Sequence, residues 1–121
     1  AAIQANVPIY EKRDPDFEAR ILALHERLSE TAIAFEPDLL IWPEAATPQP
    51  LFRDDASWQT VRRLAEKHRG DFLLGTVHYD EHGDFNSAVL LSDHAKAAAI
   101  YHKVHLVPFG EYVPFRKSFP L

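Results

Sequence analysis

The feature that most constrains this chain is a continuous apolar run at residues 39–42, Leu-Leu-Ile-Trp, which ends in Pro43 and Glu44. A run without alternating polar residues is typical of a strand that is covered on both faces. A stripe of apolar residues at helical spacing precedes the run and comprises Phe17, Ile21, Leu24, Leu28, Ala32 and Phe35. Together the two patterns predict a layered α/β fold, because each apolar surface must be buried against another element.

Caps, turns and alternation predict the remaining elements. Asp14 and Pro15 are residues that favour a helix start, Ser57 is a candidate cap for a second helix, and Gly70 would end that helix. Gly83 can supply the positive φ of a hairpin turn at residues 81–84. Strands are predicted at residues 2–7, 39–42, 72–79, 85–91 and 97–107. The predicted order is β-α-β-α-β-β-β, a mixed sheet with helices on one or both faces.

Composition narrows the classes of partner. The 121 residues suit one domain, and 13 basic against 18 acidic residues give a net charge of −5 with no basic run. This argues against nucleic acid or anionic lipid headgroups as electrostatic partners. We find no apolar stretch of about 18 residues and no signal peptide, so no transmembrane segment is predicted. The chain begins inside a predicted strand without Met, so we expect both ends to be cut from a longer protein.

Glu44 is the first candidate for chemistry. It lies at the carboxyl end of the predicted buried strand, where α/β folds place functional groups. Partial burial there would raise its pKa toward that of a useful general base. The alternative interpretation is an acid that ends the strand and caps the next turn, and the residue alone does not decide between the two.

Lys103 and Glu111 are the other candidates. On the predicted last strand Lys103 shares a face with Tyr101 and His105, and a lysine inside an internal strand needs an opposite charge, for which Glu44 or Glu111 is available. Glu111 sits in an aromatic, proline-rich loop of a kind that often lines a pocket. For Lys103 the alternative is a solvated lysine on an exposed edge strand, which the residue taken alone favours. For Glu111 the alternative is an ordinary surface turn.

The seven histidines raise the question of a metal site. His102 and His105 would point to opposite faces of a strand, and His78 and His82 lie on either side of a turn. No histidine–carboxylate spacing matches a known site, and the absence of cysteine excludes thiolate ligands. We therefore predict no metal and no cofactor.

Several segments together resemble a known family. These are residues 3–7, residues 40–44 (Leu-Ile-Trp-Pro-Glu), residues 86–88 (Asn-Ser-Ala) and residues 101–114 (Tyr-His-Lys-Val-His-Leu-Val-Pro-Phe-Gly-Glu-Tyr-Val-Pro). They are similar to the nitrilase, or carbon-nitrogen hydrolase, superfamily and more narrowly to bacterial apolipoprotein N-acyltransferases. The resemblance implies that residues 1–121 are a single, incomplete nitrilase-like domain. Its fold would be a partial αββα sandwich, truncated before the strand that carries the nucleophile.

The resemblance also implies roles for the candidate residues. The family uses a Glu-Lys-Cys triad, in which Glu44 matches the general base, Lys103 the residue that stabilises the oxyanion, and Glu111 a supporting glutamate. The chain contains no cysteine, so it has no nucleophile of its own and is expected to be inactive alone. Ala45 stands where many members have Ser or Thr.

The implied reaction transfers an acyl chain from a phospholipid, through a cysteine thioester, to the N-terminal amine of a lipoprotein. The implied location is the bacterial inner membrane with this domain on the periplasmic side, anchored through parts absent from this chain. Two alternatives remain: a hydrolase of small amides or nitriles from the same superfamily, and a non-catalytic interaction module. The Val-Pro-Phe-Gly-Glu-Tyr segment favours the acyltransferase over the hydrolase, and the missing cysteine favours the interaction module.

Overall fold

The computed structural model describes residues 1–8 and 17–108 of the chain. The helices and strands of this part are α1 (Glu18–Ile33), β1 (Leu39–Ile41), α2 (Asp55–His68), β2 (Asp71–Asp80), β3 (Gly83–Ser92) and β4 (Lys96–His102). The four strands form one sheet in the order β1-β2-β3-β4. β1 and β2 are parallel, whereas β2–β3 and β3–β4 are antiparallel, so the predicted mixed sheet is confirmed.

The predicted first strand at residues 2–7 is wrong in extent. Only Ala2 forms a bridge, in parallel with Ile41. The Ile3 amide donates to the Ile41 carbonyl at 2.8 Å, and the Ile41 amide donates to the Ala1 carbonyl at 2.9 Å. Because β1 itself is three residues long, it offers too short a ladder for a longer partner.

The two faces of the sheet differ in what covers them. Residues in register on neighbouring strands share a face, so one face carries Leu40, Phe72, Leu74, Thr76, Ser87, Val89 and Leu91, all of them buried. We call this the covered face, because apolar residues of α1 and α2 join it in one core. The opposite face, here the open face, carries Leu73, Gly75, Val77, Asn86, Ala88 and Tyr101.

Helix α1 ends earlier than the sequence predicts. It stops at Ile33, and Phe35 is 83% exposed instead of extending the apolar stripe. Its attachment to the sheet is partly polar: Trp42 follows β1 and donates its indole N–H to Ser29 Oγ at 2.7 Å. A predicted helix start at Asp14 and Pro15 lies outside the described residues.

Helix α2 is capped by Asp54, and the prediction of Ser57 as cap is wrong. Asp54 has an extended backbone, and its carboxylate accepts the Ser57 amide at 2.8 Å. Both residue types favour this position, so the sequence alone did not choose between them. At the other end Arg69 takes the left-handed conformation with φ of 63°, immediately before Gly70.

The predicted hairpin is confirmed, but the predicted last strand is too long. Asp80 pairs with Gly83 across a two-residue turn, and Gly83 has φ of 139°. Strand β4 ends at His102 instead of residue 107. The Lys103 amide still donates to the Asn86 carbonyl at 2.8 Å, one residue beyond the end of β4. Alternation in the sequence does not reveal where pairing stops.

Candidate active site

The backbone carrying Glu44 passes directly over β2 at a glycine. The Ala46 amide donates to the Gly75 carbonyl at 2.9 Å. A Cβ added at Gly75 would lie 2.5 Å from the Pro43 carbonyl oxygen and 2.6 Å from Glu44 Cα, so only glycine fits here. Ala45 has φ of 47°, a conformation that side-chain-bearing residues adopt at a cost. The turn that places Glu44 therefore depends on a close backbone approach.

The Glu44 carboxylate accepts hydrogen bonds from two side chains that lie on or next to strands β3 and β4. Lys103 Nζ donates to Glu44 Oε1 at 2.9 Å, and Asn86 Nδ2 donates to the same oxygen at 2.5 Å. The three residues come from the loop after β1, from β3 and from the residue following β4. The structure thus confirms the prediction that Glu44 and Lys103 lie close together, although they are 59 residues apart in sequence.

Lys103 reaches Glu44 from a different position than the sequence predicts. It does not lie inside an internal strand, because it follows the end of β4, which is an edge strand of the described sheet. Its side chain is 31% exposed. The exposed-edge interpretation is therefore right about the strand, while the expectation of a carboxylate partner is right about the lysine.

A cleft on the open face contains these three polar residues. Its volume is about 240 Å³, and its lining includes Leu73, Ala88 and Tyr101 besides Glu44, Asn86 and Lys103. The Glu44 side chain is 62% exposed, so it is only partly covered by the described residues. The reason is that both described helices pack on the other face of the sheet.

Two residues that position Glu44 were not assigned a role from sequence. Asn86 belongs to a motif that resembles the family, but only the fold shows that its amide meets Glu44. Gly75 carries no sequence signal beyond being a glycine within a strand, which indicates a close backbone approach. Glu111 and the aromatic loop around it lie outside the described residues.

The histidines meet in a combination that the sequence did not indicate. Among the described residues, His78, Asp80 and His102 each offer one ligand atom, and these atoms lie within 4.8 Å of one another. Sequence spacing instead suggests the pairs His78 with His82 and His102 with His105. Register, not sequence spacing, brings β2 and the end of β4 together here.

None of the helices in residues 1–8 and 17–108 combines the length and apolar character needed to cross a membrane.

The chain is similar to curated proteins named apolipoprotein N-acyltransferase. It is 39% identical to the one from Geobacter metallireducens over an alignment of 126 residues including gaps, which covers 99% of this chain and 24% of that protein. It is 33% identical to the one from Haemophilus ducreyi over 121 residues, 95% of this chain and 24% of that protein. The chain thus spans about a quarter of the length of these relatives.

Solved structures share the fold at low identity. An amidase of the nitrilase superfamily from Nesterenkonia AN1 matches with a TM-score of 0.61 and 19% identity, over 75% of this chain and 39% of that one. An N-terminal amidase with an Asn-Glu-Ala peptide matches with a TM-score of 0.64 and 17% identity, over 88% of this chain and 28% of that one. The α/β sheet with its two helices is thus the partial nitrilase fold. The family model described as carbon-nitrogen hydrolase matches residues 1–119. The chain belongs to the carbon-nitrogen hydrolase family.

Proposed function

We propose that this chain supplies the general base and the lysine of an acyl-transfer site of the apolipoprotein N-acyltransferase type. The observation that carries the proposal is the contact of Lys103 Nζ with Glu44 Oε1 at 2.9 Å inside a cleft on the open face. Residues 1–121 would act as one domain. The thiol nucleophile would come from sequence outside them, since this chain has no cysteine.

Similarity to curated relatives supports this choice over a small-amide hydrolase. The relatives with 39% and 33% identity carry the acyltransferase name, whereas the amidases resemble this chain at 17–19% identity. One of those amidase structures is described with acrylamide added at its active-site cysteine. A cysteine nucleophile on this fold is therefore the basis of the chemistry proposed here.

In the first half-reaction Glu44 accepts the proton of the thiol, and the thiolate attacks the ester carbonyl carbon of a phospholipid. Lys103 stabilises the negative charge that develops on the carbonyl oxygen. An ammonium has three N–H donors, so it can contact a carboxylate and an oxyanion together. The ester C–O bond then breaks, and Glu44 returns the proton to the departing lysophospholipid oxygen.

In the second half-reaction the N-terminal amine of a lipoprotein attacks the thioester carbonyl carbon. Glu44 takes the proton that the amine loses, the C–S bond breaks, and the thiol is reprotonated. Asn86 would keep the Glu44 carboxylate facing the lysine, and Glu111 would support the lysine. The domain would work on the periplasmic side of the bacterial inner membrane, where the phospholipid donor and the lipid-anchored acceptor lie in the same bilayer.

A chimera tests this proposal. Residues 1–121 replace the equivalent segment of the Geobacter metallireducens protein, and transfer of a labelled acyl chain from phospholipid to a lipopeptide is measured by mass spectrometry. We expect transfer by the chimera and a loss of about 10²–10⁴-fold for Glu44→Gln. For Lys103→Met we expect a loss of about 10²–10³-fold.

Matched controls use charges outside the cleft. Glu81→Gln removes a turn carboxylate whose side chain is 86% exposed, and Lys96→Met removes a lysine whose side chain is 76% exposed. Both should leave transfer unchanged. An inactive chimera, or Glu44→Gln with control-like activity, would contradict the proposal. Cleavage of small amides without acyl transfer would favour the hydrolase. The 121-residue chain alone should form no acyl adduct.

A further inference from the structure

A histidine–aspartate–histidine cluster lies near one end of the sheet, where β2 enters the hairpin and β4 ends. It consists of His78, Asp80 and His102, and one ligand atom from each lies within 4.8 Å of the others. His102 Nε2 is 3.7 Å from Asp80 Oδ2, and the rings of His78 and His102 stack with centroids 5.3 Å apart.

Strand register explains why these side chains converge. His78 and Asp80 are two residues apart on β2 and therefore share a face, while Ser87 on β3 pairs with His102 on β4 and with Thr76 on β2. The three groups thus project from the same face of the sheet, across the intervening β3. The β3 residue paired with Asp80 is Gly83, where an added Cβ would meet no atom within 4 Å, whereas Phe85, which pairs with His78, stacks on the His102 ring with centroids 4.4 Å apart.

Neighbouring groups orient the donor atoms. Ser87 Oγ lies 2.8 Å from His102 Nδ1, which directs Nε2 toward Asp80. The His82 amide donates to Asp80 Oδ1 at 2.7 Å, and this hydrogen bond lowers the pKa of the Asp80 carboxyl group. His78 Nδ1 is buried without a hydrogen-bond partner among the described residues. Such outer contacts are what orient histidine and carboxylate ligands in metal sites.

Two imidazole nitrogens and a carboxylate oxygen this close together form a ligand set that one metal ion can share. We propose that this cluster binds a divalent transition-metal ion of the zinc class through two histidines and one carboxylate. This ligand set leaves coordination positions open for water.

The geometry requires only small adjustments. Ligand atoms at about 2.1 Å from a tetrahedral Zn²⁺ are roughly 3.4 Å apart, so side-chain shifts of the order of 1 Å would close the cluster around the ion. Bound metal would tie the end of β4 to β2. Since Lys103 directly follows His102, the metal would also restrain the segment that carries the lysine.

Metal titration of the purified, untagged chain at pH 7.5 tests the proposal without an activity assay. Zn²⁺ binding is measured by calorimetry and Co²⁺ binding by visible absorption. We expect one equivalent of metal and affinity losses of about 10–100-fold for both Asp80→Asn and His102→Gln. The matched control is His94→Gln, which removes an exposed imidazole in the turn between β3 and β4 and should bind metal like the unsubstituted chain.

Two further measurements test whether the variants have unfolded and whether metal binds at other histidines. Circular dichroism of the metal-free unsubstituted chain and of its variants verifies folding, and Asp80→Asn keeps the test valid if His102→Gln unfolds. Co²⁺ should broaden the NMR signals of the His78 and His102 rings but not those of buried His25 and His68. No binding by the folded, unsubstituted chain would overturn the proposal. An equal loss for His94→Gln would also overturn it, because it would indicate adventitious binding to surface histidines.

Discussion

The two faces of the sheet differ in what they carry: one carries the hydrophobic core and the other the candidate active site. On the covered face Phe72, Leu74 and Val89 are fully buried, whereas Tyr101 on the open face is 63% exposed. The same strands supply both sets, because successive residues of a strand point to opposite sides. Stability is thus concentrated on the face that carries the helices, and the candidate active site on the face that does not.

The covered face also supports the site on the open one. Thr76 is buried there, and its hydroxyl lies 2.6 Å from Thr47 Oγ1. The Leu51 amide donates to the same Thr76 oxygen at 3.1 Å. These bonds hold the segment that follows Glu44, so part of the positioning of the carboxylate originates on the opposite side of the sheet.

The largest expected effect concerns oligomeric state. The open face and the edge strand β4 expose apolar side chains, so we expect the isolated chain to self-associate or to be poorly stable. Tyr101→Lys should shift sedimentation toward the monomer, whereas Phe35→Lys, which changes an exposed residue of another surface, should not. A monomer at all concentrations would contradict this view of the open face.

The next largest effect is the difference in unfolding free energy between a truncation on the covered face and one on the open face. Phe72→Ala should lower the free energy of unfolding by about 3–5 kcal/mol, because it leaves a cavity in the core. Tyr101→Ala, on the exposed side of the same sheet, should change it by no more than about 0.5 kcal/mol. Urea unfolding followed by circular dichroism measures both. Equal effects would mean that the open face is packed in solution.

A smaller change in the free energy of unfolding is expected at Gly75, where the loop that carries Glu44 contacts β2. Gly75→Ala should cost about 1–3 kcal/mol of stability, because the new methyl group must displace the backbone at Glu44. NMR should show shifted amide signals for Ala45 and Ala46. Gly83→Ala is the control: an alanine there would have a strained backbone, but its Cβ would meet no atom within 4 Å, so the Ala45 and Ala46 signals should stay unchanged.

The smallest effect is the ion pair itself. A double-mutant cycle of Glu44→Gln and Lys103→Met should give a coupling of about 0.2–1 kcal/mol in unfolding experiments, because the pair is partly exposed. Glu30 and Lys67, which connect the two helices at 3.2 Å, provide a matched exposed pair. If Glu44 and Lys103 give zero coupling while Glu30 and Lys67 give a measurable one, the contact of Glu44 with Lys103 does not persist in solution.

Much of this architecture was predictable because its signals are local. The apolar run before Pro43, the helical stripes and the glycine in the hairpin act over a few residues, and each predicts its element. Boundaries were less predictable: Asp54 and Ser57 are equally good caps, and β4 stops where its pairing with β3 stops. The glutamate–lysine contact was anticipated through the family resemblance together with the need of a lysine for an opposite charge.

The sequence by itself determined the fold class, the absence of a thiol in this chain and the candidate pair Glu44 and Lys103, since these depend on residue type and local pattern. Only the tertiary structure decided that Asn86 contacts Glu44, that Gly75 admits the loop, and that His78 and Asp80 meet His102. The physical reason is strand register: side chains from residues far apart in sequence become neighbours only when hydrogen-bonded strands fix their alignment.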